Sequence, residues 1–274
     1  MRGISGKSAI ITGGTSGIGF ATAERLLSLG CKVIITGRKR EKGEAALAKL
    51  REAYPDTESD IFIGDMGVEQ NCIDLMAMGI EKFGKVDFLV NNAFAFTRWA
   101  WTASRWDWEH VMECGPINYA TMIQQYYLQH PKDHKGAIVN VSSVSAYVAQ
   151  PRSWTYNSAK GAVRQLTKCT AIDLAPNIRV NSVSPANVMT DEITRLHPDK
   201  TMEELLAEED KQHLHGRPIR SDECASAIVF LLSDDASAIT ATNLPVDSGY
   251  TAVGACGYPD PDLGPSLTGY IGSN

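Results

Sequence analysis

Short apolar runs alternate with longer amphipathic segments along most of the chain. The runs are rich in Val and Ile, as expected for strands buried on both faces. They occupy residues 8–12, 31–37, 60–64, 86–90, 136–142, 178–184 and 243–247. Helical periodicity covers 18–29, 41–53, 69–83, 104–129, 154–174 and 222–232. This alternation predicts βαβ units and one α/β domain over 1–274, in which helices cover both sides of a central seven-stranded parallel sheet.

Three features interrupt the alternation. Residues 187–221 are polar and helix-prone and follow the sixth predicted strand, where we expect a substrate lid, because loops at strand ends carry function on a rigid sheet. Residues 250–274 are rich in Gly and Pro and predict no regular element. Gly115 and Pro116 stand inside the predicted helix 104–129, which a proline should break.

Composition excludes several classes of protein. The net charge of −6 argues against a nucleic-acid or membrane-surface protein, because those need a basic face. No apolar run approaches the roughly 18 residues of a membrane span, and the N-terminus lacks a signal-peptide pattern. The six cysteines form no CxxC pair and lie beside no histidine at metal-ligand spacing. We therefore predict reduced thiols, no metal, and a cytoplasmic protein.

A glycine-rich turn, TGGTSGIG, connects the first predicted strand to the first helix. Glycines let the backbone approach a phosphate, and the helix N-terminus offers free N–H groups and the positive end of its dipole. The strand before it and the helix after it make this turn a strong indication of a dinucleotide site. The candidate contacts are Gly13, Thr15, Ser16, Gly17, Ile18 and Gly19.

The end of the second strand favours one dinucleotide. Dinucleotide folds place an acid there to hold the adenosine ribose, but this chain reads TGRKREK from residue 36. Cations at a helix start oppose its dipole unless an anion is present. The 2′-phosphate of NADP would supply that anion, with Arg38 stacking or pairing against it. A solvated charged turn is the alternative, and we predict NADP(H) over NAD(H).

Tyr156 and Lys160 lie four residues apart in TYNSAK, on one face of a predicted helix. A free tyrosine has a pKa of about 10, and a nearby ammonium favours the phenolate and lowers that pKa. The pair can then act as a general acid and base near neutral pH. The same spacing also occurs by chance in exposed pairs on helix surfaces.

Together the motifs resemble those of the short-chain dehydrogenase/reductase family over nearly the whole chain. Besides TGGTSGIG and the Tyr-Lys pair, they are NNAF at 91–94, VNVSS at 139–143, NSVSPANVMT at 181–190 and VDSGYT at 246–251. The resemblance implies a single-domain Rossmann-like doubly wound sandwich. It implies that Ser143 binds the substrate oxygen, Tyr156 exchanges the proton and Lys160 binds the nicotinamide ribose. Further implied cofactor contacts are Asp65, Met66, Asn92, Ala93, Pro185, Val188 and Thr190.

The chain departs from the family pattern at several positions. Phe94 replaces the glycine of NNAG, Ala186 the glycine of a PG turn, and Ser248 a glycine of DGG. The family's fourth catalytic residue is an asparagine that kinks the helix after strand four, where a backbone carbonyl holds a water linking the lysine to solvent. That position falls on Gly115.

Two interpretations of Gly115-Pro116 stay open. Pro116 has no N–H, so the carbonyl of Met112 loses its helical partner and could hold the relay water, with Asn118 assisting as a fourth catalytic residue. In the alternative, the relay is lost and turnover is poor.

Aromatic residues are concentrated where the family's substrate cleft begins. Within 94–108 they are Phe94, Phe96, Trp99, Trp101, Trp106 and Trp108. Some should pack in the core, while others could line an apolar pocket or a subunit contact. We predict a hydrophobic or ring-containing ketone as the substrate, with contacts from Phe94, Trp99 and Ser145.

Three functions fit these features, and we favour the first. It is an NADP(H)-dependent oxidoreductase acting on an alcohol/ketone pair. The second is a nucleotide-binding regulator or pseudoenzyme that kept the fold and lost efficient chemistry. The third is a tailoring dehydratase or epimerase on the same scaffold. The resemblance also implies a homotetramer or homodimer, with contacts on the helices near 104–130 and 154–174.

Overall fold

Seven parallel strands form a single sheet in the computed structural model, which describes residues 1–97, 99–190, 200–201, 203–205 and 213–252. The strands are β1 (Ser8–Ile11), β2 (Lys32–Gly37), β3 (Ser59–Ile63), β4 (Phe88–Asn91), β5 (Gly136–Val141), β6 (Ile178–Pro185) and β7 (Asn243–Val246). Their spatial order is β3-β2-β1-β4-β5-β6-β7. The predicted doubly wound parallel sheet is confirmed, with strand boundaries within two residues of those predicted.

Helices cover both faces of the sheet. They are α1 (Gly17–Leu27), α2 (Arg40–Ala53), α3 (Glu69–Phe83), α4 (Arg105–Met112), α5 (Asn118–Gln129), α6 (Trp154–Asp173) and α7 (Ser221–Leu232). The helices α1, α2 and α7 share one apolar core with the sheet, and α3, α5 and α6 share the other. Successive strand residues serve opposite cores: Ile10 lies in the second and Ile11 in the first. This explains why the strands are apolar throughout instead of alternating.

The predicted helix 104–129 is two helices joined by a π-helical turn, Glu113–Ile117. Ser104 begins α4 with a capping box, because its hydroxyl accepts from the N–H of Asp107 and the Asp107 carboxylate accepts from the N–H of Ser104. The backbone leaves helical geometry at Gly115, where φ is −127° and ψ is −110°. The Gly-Pro pair therefore divides this segment, as a proline inside a helix predicts.

The two irregular segments are described only in part. Within the predicted lid 187–221, Val188 forms an isolated parallel bridge with Ile219, so the two ends of the segment meet. Residues 191–199, 202 and 206–212 of that segment lie outside the described residues, as do 253–274 of the predicted tail. None of the helices in the described ranges has the length and apolarity that crossing a membrane requires.

Arg179 of β6 fixes the end of α7. Its guanidinium donates at 2.7–3.3 Å to the carbonyl oxygens of Leu231, Leu232, Ser233 and Ile239. The last carbonyls of a helix have no partner inside it, so this side chain satisfies groups that would otherwise be unpaired. Because α7 packs on α1 and on the sheet, the contact also steadies the layer beside the glycine-rich turn.

Arg179→Met should lower the free energy of unfolding by about 2–4 kcal/mol, because it leaves several half-buried carbonyls without donors. Arg179→Lys should recover only part of this loss, since an ammonium lacks the planar fork of a guanidinium. Denaturant titration of the three proteins measures the differences. Equal stability of Arg179→Met and the parent protein would contradict this account of the α7 terminus.

Candidate active site and cofactor groove

The glycine-rich turn is held open by hydrogen bonds from neighbouring strands. Gly13 and Gly17 have φ values of +67° and +55°, which favour glycine. The N–H of Gly13 donates to the hydroxyl of Thr36 at 2.9 Å. The amide Nδ2 of Asn92 donates to the carbonyls of Thr12 and Gly13, both at 3.0 Å. The backbone there thus has one fixed conformation, with Asn92 and the adjoining Ala93 directly beneath it.

The first turn of α1 is suited to a diphosphate. Ser16 occupies the N-cap position, yet its side chain makes no capping hydrogen bond. The N–H groups of the first turn therefore remain available to an anion, beside the positive end of the helix dipole. The side chain of Thr190 approaches from the segment after β6, 3.1 Å from where a Cβ on Gly17 would lie. These features fit a nicotinamide dinucleotide.

The remaining turn residues support this cradle. Ile18 is half-buried and packs against the core shared by α1, α2 and α7 and against a small cluster of Val188, Ile219 and Cys224. Gly19 is buried in the first turn of α1. Thr15 lies against Gly37 at the end of β2. On the opposite side, Pro185 ends β6 in register with Val246, and Val188 is buried in its bridge to the segment before α7.

Arg38 and Asp65 lie on one rim of the cofactor groove, just after β2 and β3. A carboxylate oxygen of Asp65 accepts from the N–H of Gly67 at 3.0 Å, and the neighbouring Met66 is buried. Burial is the main cause that raises the pKa of the Cys114 thiol; Asp65 raises it further and Arg38 lowers it, so both charges lie near this thiol. The exposed Arg38 precedes α2, which has no side-chain cap, so an anion would be favoured there.

Ser143 lies just beyond the end of β5, with a fixed hydroxyl. Its Oγ accepts from the N–H of Ser145 at 3.1 Å and lies 3.1 Å from the Ser145 hydroxyl. Ser145 in turn donates to Oε1 of Gln150 at 2.7 Å. Ser143 and Ser145 are both buried. Because Ser145 gives its proton to Gln150, the Ser143 hydroxyl donates to the Ser145 oxygen, and it must turn away from Ser145 to donate to a substrate oxygen.

Tyr156 lies between two phenylalanine rings. The Phe94 ring meets it edge-on, with centroids 5.6 Å apart and an interplanar angle of 80°. The Phe96 ring lies over it at 4.9 Å and 31°. Tyr156 is only 4% exposed, whereas Phe96 is 37% exposed. The general acid/base candidate is thus walled by aromatic side chains, with Phe96 on the solvent side.

Lys160 is buried one helical turn from Tyr156, and its Nζ lies 5.6 Å from the Tyr156 ring centroid. The ammonium donates to the backbone carbonyl of Val141 at 3.0 Å. It also lies 3.6 Å from the centroid of the Phe94 ring. Burial lowers the pKa of Lys160 to about 7, because a charge is costly away from water.

The broken helix differs from the sequence-based expectation. A π-turn pairs residues five apart, so the carbonyl of Met112 gains a donor in Ile117 despite the missing N–H of Pro116. The expectation of a freed carbonyl at Met112 was therefore wrong. Gly115 faces the Phe94 ring, whose Cε2 lies 2.6 Å from where a Cβ on Gly115 would be.

Asn118 begins α5, and its side chain is directed toward α3. Its Oδ1 accepts from the thiol of Cys72 on α3 at 3.6 Å, and the residue is buried. Within the described part of the chain no hydrogen bond joins the side chains of Asn118 and Lys160. This geometry gives no support to the prediction that Asn118 assists the reaction.

Sequence and structure comparisons identify the family. The family model described as enoyl-(acyl carrier protein) reductase matches residues 13–251. Cyclopentanol dehydrogenase of Comamonas testosteroni is 33% identical over 257 residues, which cover 92% of this chain and 100% of that protein. The NADP-dependent (R)-specific alcohol dehydrogenase of Lentilactobacillus kefiri is 31% identical over 91% of this chain and 98% of its own. The chain belongs to the short-chain dehydrogenase/reductase family.

A solved structure of this family has the same fold. A variant of actinorhodin polyketide ketoreductase with NADPH matches with a TM-score of 0.84 and 28% identity, covering 91% of this chain and 99% of that one. The resemblance inferred from the motifs is thus confirmed. The relatives are dehydrogenases and reductases, and the protein is an oxidoreductase acting on alcohols or ketones.

The aromatic segment after β4 contributes to the mouth of this short-chain dehydrogenase/reductase site. Trp99 is half exposed, and its backbone N–H donates to the hydroxyl of Thr155 at 3.1 Å. Thr155 also donates to the carbonyl of Thr97 at 2.7 Å, which ties the segment to α6 beside Tyr156. Trp101 and Trp154 meet edge to face and are both exposed. Trp108 is half-buried and so packs against the core only in part.

Several residues at the site were missed by sequence reasoning. Gln150 positions Ser145, and Thr155 positions the aromatic segment. The spacing of Gln150 and Thr155 in the sequence did not indicate either role. Asn140 accepts from Asn91 at 2.9 Å and donates to Thr167 at 3.0 Å, which links β4, β5 and α6. An asparagine inside an apolar strand was the available signal, because a buried amide needs partners. No metal-binding cluster of His, Cys, Asp or Glu occurs in the described ranges.

Lys160→Met should stabilise the cofactor-free protein, most strongly below pH 7. In the folded state the Lys160 pKa is about 7, whereas an unfolded lysine has about 10.4. Below pH 7 Lys160 is protonated in both states, and the folded protein bears the full free-energy cost of a buried ammonium. Between the two pKa values Lys160 is protonated only in the unfolded chain, so the free energy of unfolding rises with pH. The advantage of Lys160→Met should therefore shrink at higher pH.

Unfolding free energies at about pH 6 and about pH 9 measure this change. The matched control is Lys168→Met, two turns along α6, where the lysine is exposed and its replacement removes no buried charge. An advantage for Lys160→Met that is equal at both pH values would contradict the assigned cost of burial.

Proposed function

We propose that this protein uses NADP(H) to reduce a hydrophobic, ring-containing ketone, or to oxidise the matching alcohol. The observation that carries the proposal is the arrangement of Ser143, just beyond β5, with Tyr156 and Lys160 on α6, beside the groove formed by the glycine-rich turn. The nicotinamide supplies the hydride when bound. Tyr156 supplies the proton to the substrate oxygen in the direction of reduction.

The other side chains orient and polarise the substrate. Ser143 donates its O–H to the substrate oxygen, and its Oγ is held for this by the N–H of Ser145. Lys160 favours the phenolate of Tyr156 through its charge and offers N–H donors to the ribose hydroxyls. The residues proposed to hold the dinucleotide are those of the glycine-rich turn, the rim and the segment after β6, as described above.

The basic end of β2 supports NADP over NAD. Arg38 is exposed on the rim that also carries Asp65, at the start of a helix without a side-chain cap. The relative from Lentilactobacillus kefiri is NADP-dependent by name, and the ketoreductase structure contains NADPH.

Arg38→Asp should weaken NADPH binding by about 10- to 100-fold, the loss expected for a charged hydrogen bond to phosphate. NADH binding should be unchanged or stronger, because an acid at this position can hold ribose hydroxyls. Fluorescence titration of both cofactors against Arg38→Asp, with Arg40→Asp as the neighbouring control, gives the ratio. An unchanged NADPH/NADH preference would remove Arg38 from the cofactor site.

A ring-containing substrate is supported by the walls of the site. Phe96 covers the Tyr156 ring from the solvent side, and Trp99 is tied to the adjacent helix through Thr155. Flat aromatic surfaces favour apolar, cyclic molecules. The Comamonas relative is named for cyclopentanol, an alicyclic alcohol.

NADPH oxidation against cyclic ketones, linear ketones and aldoses tests the proposal. Cyclic ketones should give the highest kcat/KM, and Tyr156→Phe should lower the rate by about 10²- to 10⁴-fold, the usual contribution of a general acid. Trp106→Phe, on an exposed position of α4, is the control for a general aromatic effect. Faster turnover of aldoses would exclude the substrate class.

Two other outcomes point to the alternative functions. Tight NADPH binding with no turnover on any ketone would favour a nucleotide-binding regulator. Product formation without net change in NADPH would favour a dehydratase or epimerase.

We further propose a homo-oligomer, a tetramer or a dimer. Exposed apolar side chains lie on the two helices that the family resemblance assigns to subunit contacts: Tyr127 and Leu128 on α5, and Trp154 and Ile172 on α6. Burying such side chains would stabilise an association. Sedimentation of Leu128→Glu and Ile172→Glu should show a shift to smaller species.

A further inference from the structure

The Lys160 ammonium has an unusual set of neighbours for a buried charge. An ammonium carries three N–H donors, and within the described residues Nζ has one hydrogen-bond acceptor, the carbonyl of Val141. The phenol of Tyr119 donates to the same carbonyl at 3.3 Å. The next partner of the ammonium is the face of the Phe94 ring, 3.6 Å from Nζ to the centroid. An aromatic face attracts a cation through its quadrupole, most strongly where water is excluded.

The Phe94 ring is held firmly in this position. It meets Tyr156 and Tyr119 edge-on, with centroid distances of 5.6 and 6.3 Å. Its Cε2 and Cζ atoms lie 2.6 and 2.9 Å from where a Cβ on Gly115 would be. Any side chain at residue 115 would therefore overlap the ring. One edge of the ring lies against Gly115, and the face of the ring lies against the Lys160 ammonium.

We propose that Phe94 is a positioning residue for Lys160: its ring takes the place of water around the ammonium, and Gly115 provides the recess that the ring needs. The two departures from the family pattern are then one feature, because each residue permits the other. No water can lie between residue 115 and the ammonium while the ring is there. Proton exchange with solvent must then use another side of the site.

The charge of Lys160 follows from this enclosure. The titratable side chains that face it are Tyr156 on its own helix and Tyr119 on α5. Burial is the cause that lowers its pKa, with no carboxylate of the described chain acting on it. Opening the enclosure should hydrate the ammonium and strengthen proton binding, whereas replacing the ring by an aliphatic group should keep water out.

The first test titrates Lys160 in the cofactor-free protein by NMR of isotope-labelled lysine side chains. The Lys160 signal is the one that Lys160→Met removes. Phe94→Ala should strengthen proton binding by more than about tenfold, a displacement of the midpoint by over one pH unit. Phe94→Leu should not strengthen it, because leucine excludes water but has no aromatic face. A midpoint that Phe94→Ala leaves in place would overturn the proposal.

The second test is a double-mutant cycle on unfolding, which does not depend on Phe94→Ala folding well. Gly115→Ala should raise the unfolding constant strongly in the parent protein and at least about tenfold less in the Phe94→Leu background, where the atoms that collide are gone. Any backbone cost of alanine at residue 115 is the same in both backgrounds. Additive effects would show that the ring and the glycine do not depend on each other.

Gly161→Ala is the matched control, since among the described residues no atom outside the backbone of α6 itself lies within 4 Å of the added Cβ. It should have the same small effect in both backgrounds. The proposal rests on the proposed function only where it gives Lys160 a role in catalysis. Because neither readout uses cofactor or substrate, the titration and the cycle can fail while NADPH turnover persists, and they can succeed where no ketone is reduced.

Discussion

All seven strands run in the same direction, so the chain leaves each of them at the same edge of the sheet. The glycine-rich turn after β1, the NNAF segment after β4 and Ser143 after β5 therefore converge without any long connection. Short hydrogen bonds then join them: the hydroxyl of Thr12 accepts from the N–H groups of Asn92 and Ala93. The hydroxyl of Ser142 donates to the carbonyl of Lys160, which fixes α6 against the same edge. Without the parallel pairing of the strands, these functional groups would not lie at one edge of the sheet.

On this scaffold the site combines two kinds of local environment. The cofactor groove is built from backbone N–H groups and small residues, and it suits an anion because its donors are left unpaired by the protein. The catalytic end is enclosed by rings and carries a buried ammonium with one carbonyl acceptor among the described residues. Such an ammonium is costly in isolation and gains most from oxygen atoms that arrive with a ligand. The burial that makes the Lys160 ammonium costly without a ligand therefore also suits it to bind the oxygen atoms of a ligand.

The alternation of apolar runs was sufficient to predict the sheet, its parallel direction and nearly all its boundaries, because strands buried on both faces leave a clear pattern. The motifs placed Ser143, Tyr156 and Lys160 on their elements. The pattern could not show that the Phe94 ring reaches Gly115 and Lys160, since these residues are distant in the chain and meet only through tertiary packing. It also failed at Met112, because a missing proline N–H was treated as an unfilled bond, whereas the π-turn supplies a different donor. The preference for NADP stays a prediction.

The fit between Phe94 and Gly115 constrains how the two positions can diverge among related proteins. A side chain at position 115 would overlap the Phe94 ring where it now lies, so a ring in this place requires glycine at position 115. Starting from a family member with glycine and asparagine at these positions, the asparagine must therefore be replaced first. An intermediate with glycine at both positions would lack the ring that covers the ammonium. An aromatic residue at position 94 should accordingly co-occur with glycine at position 115, and the pair would be inherited as a unit.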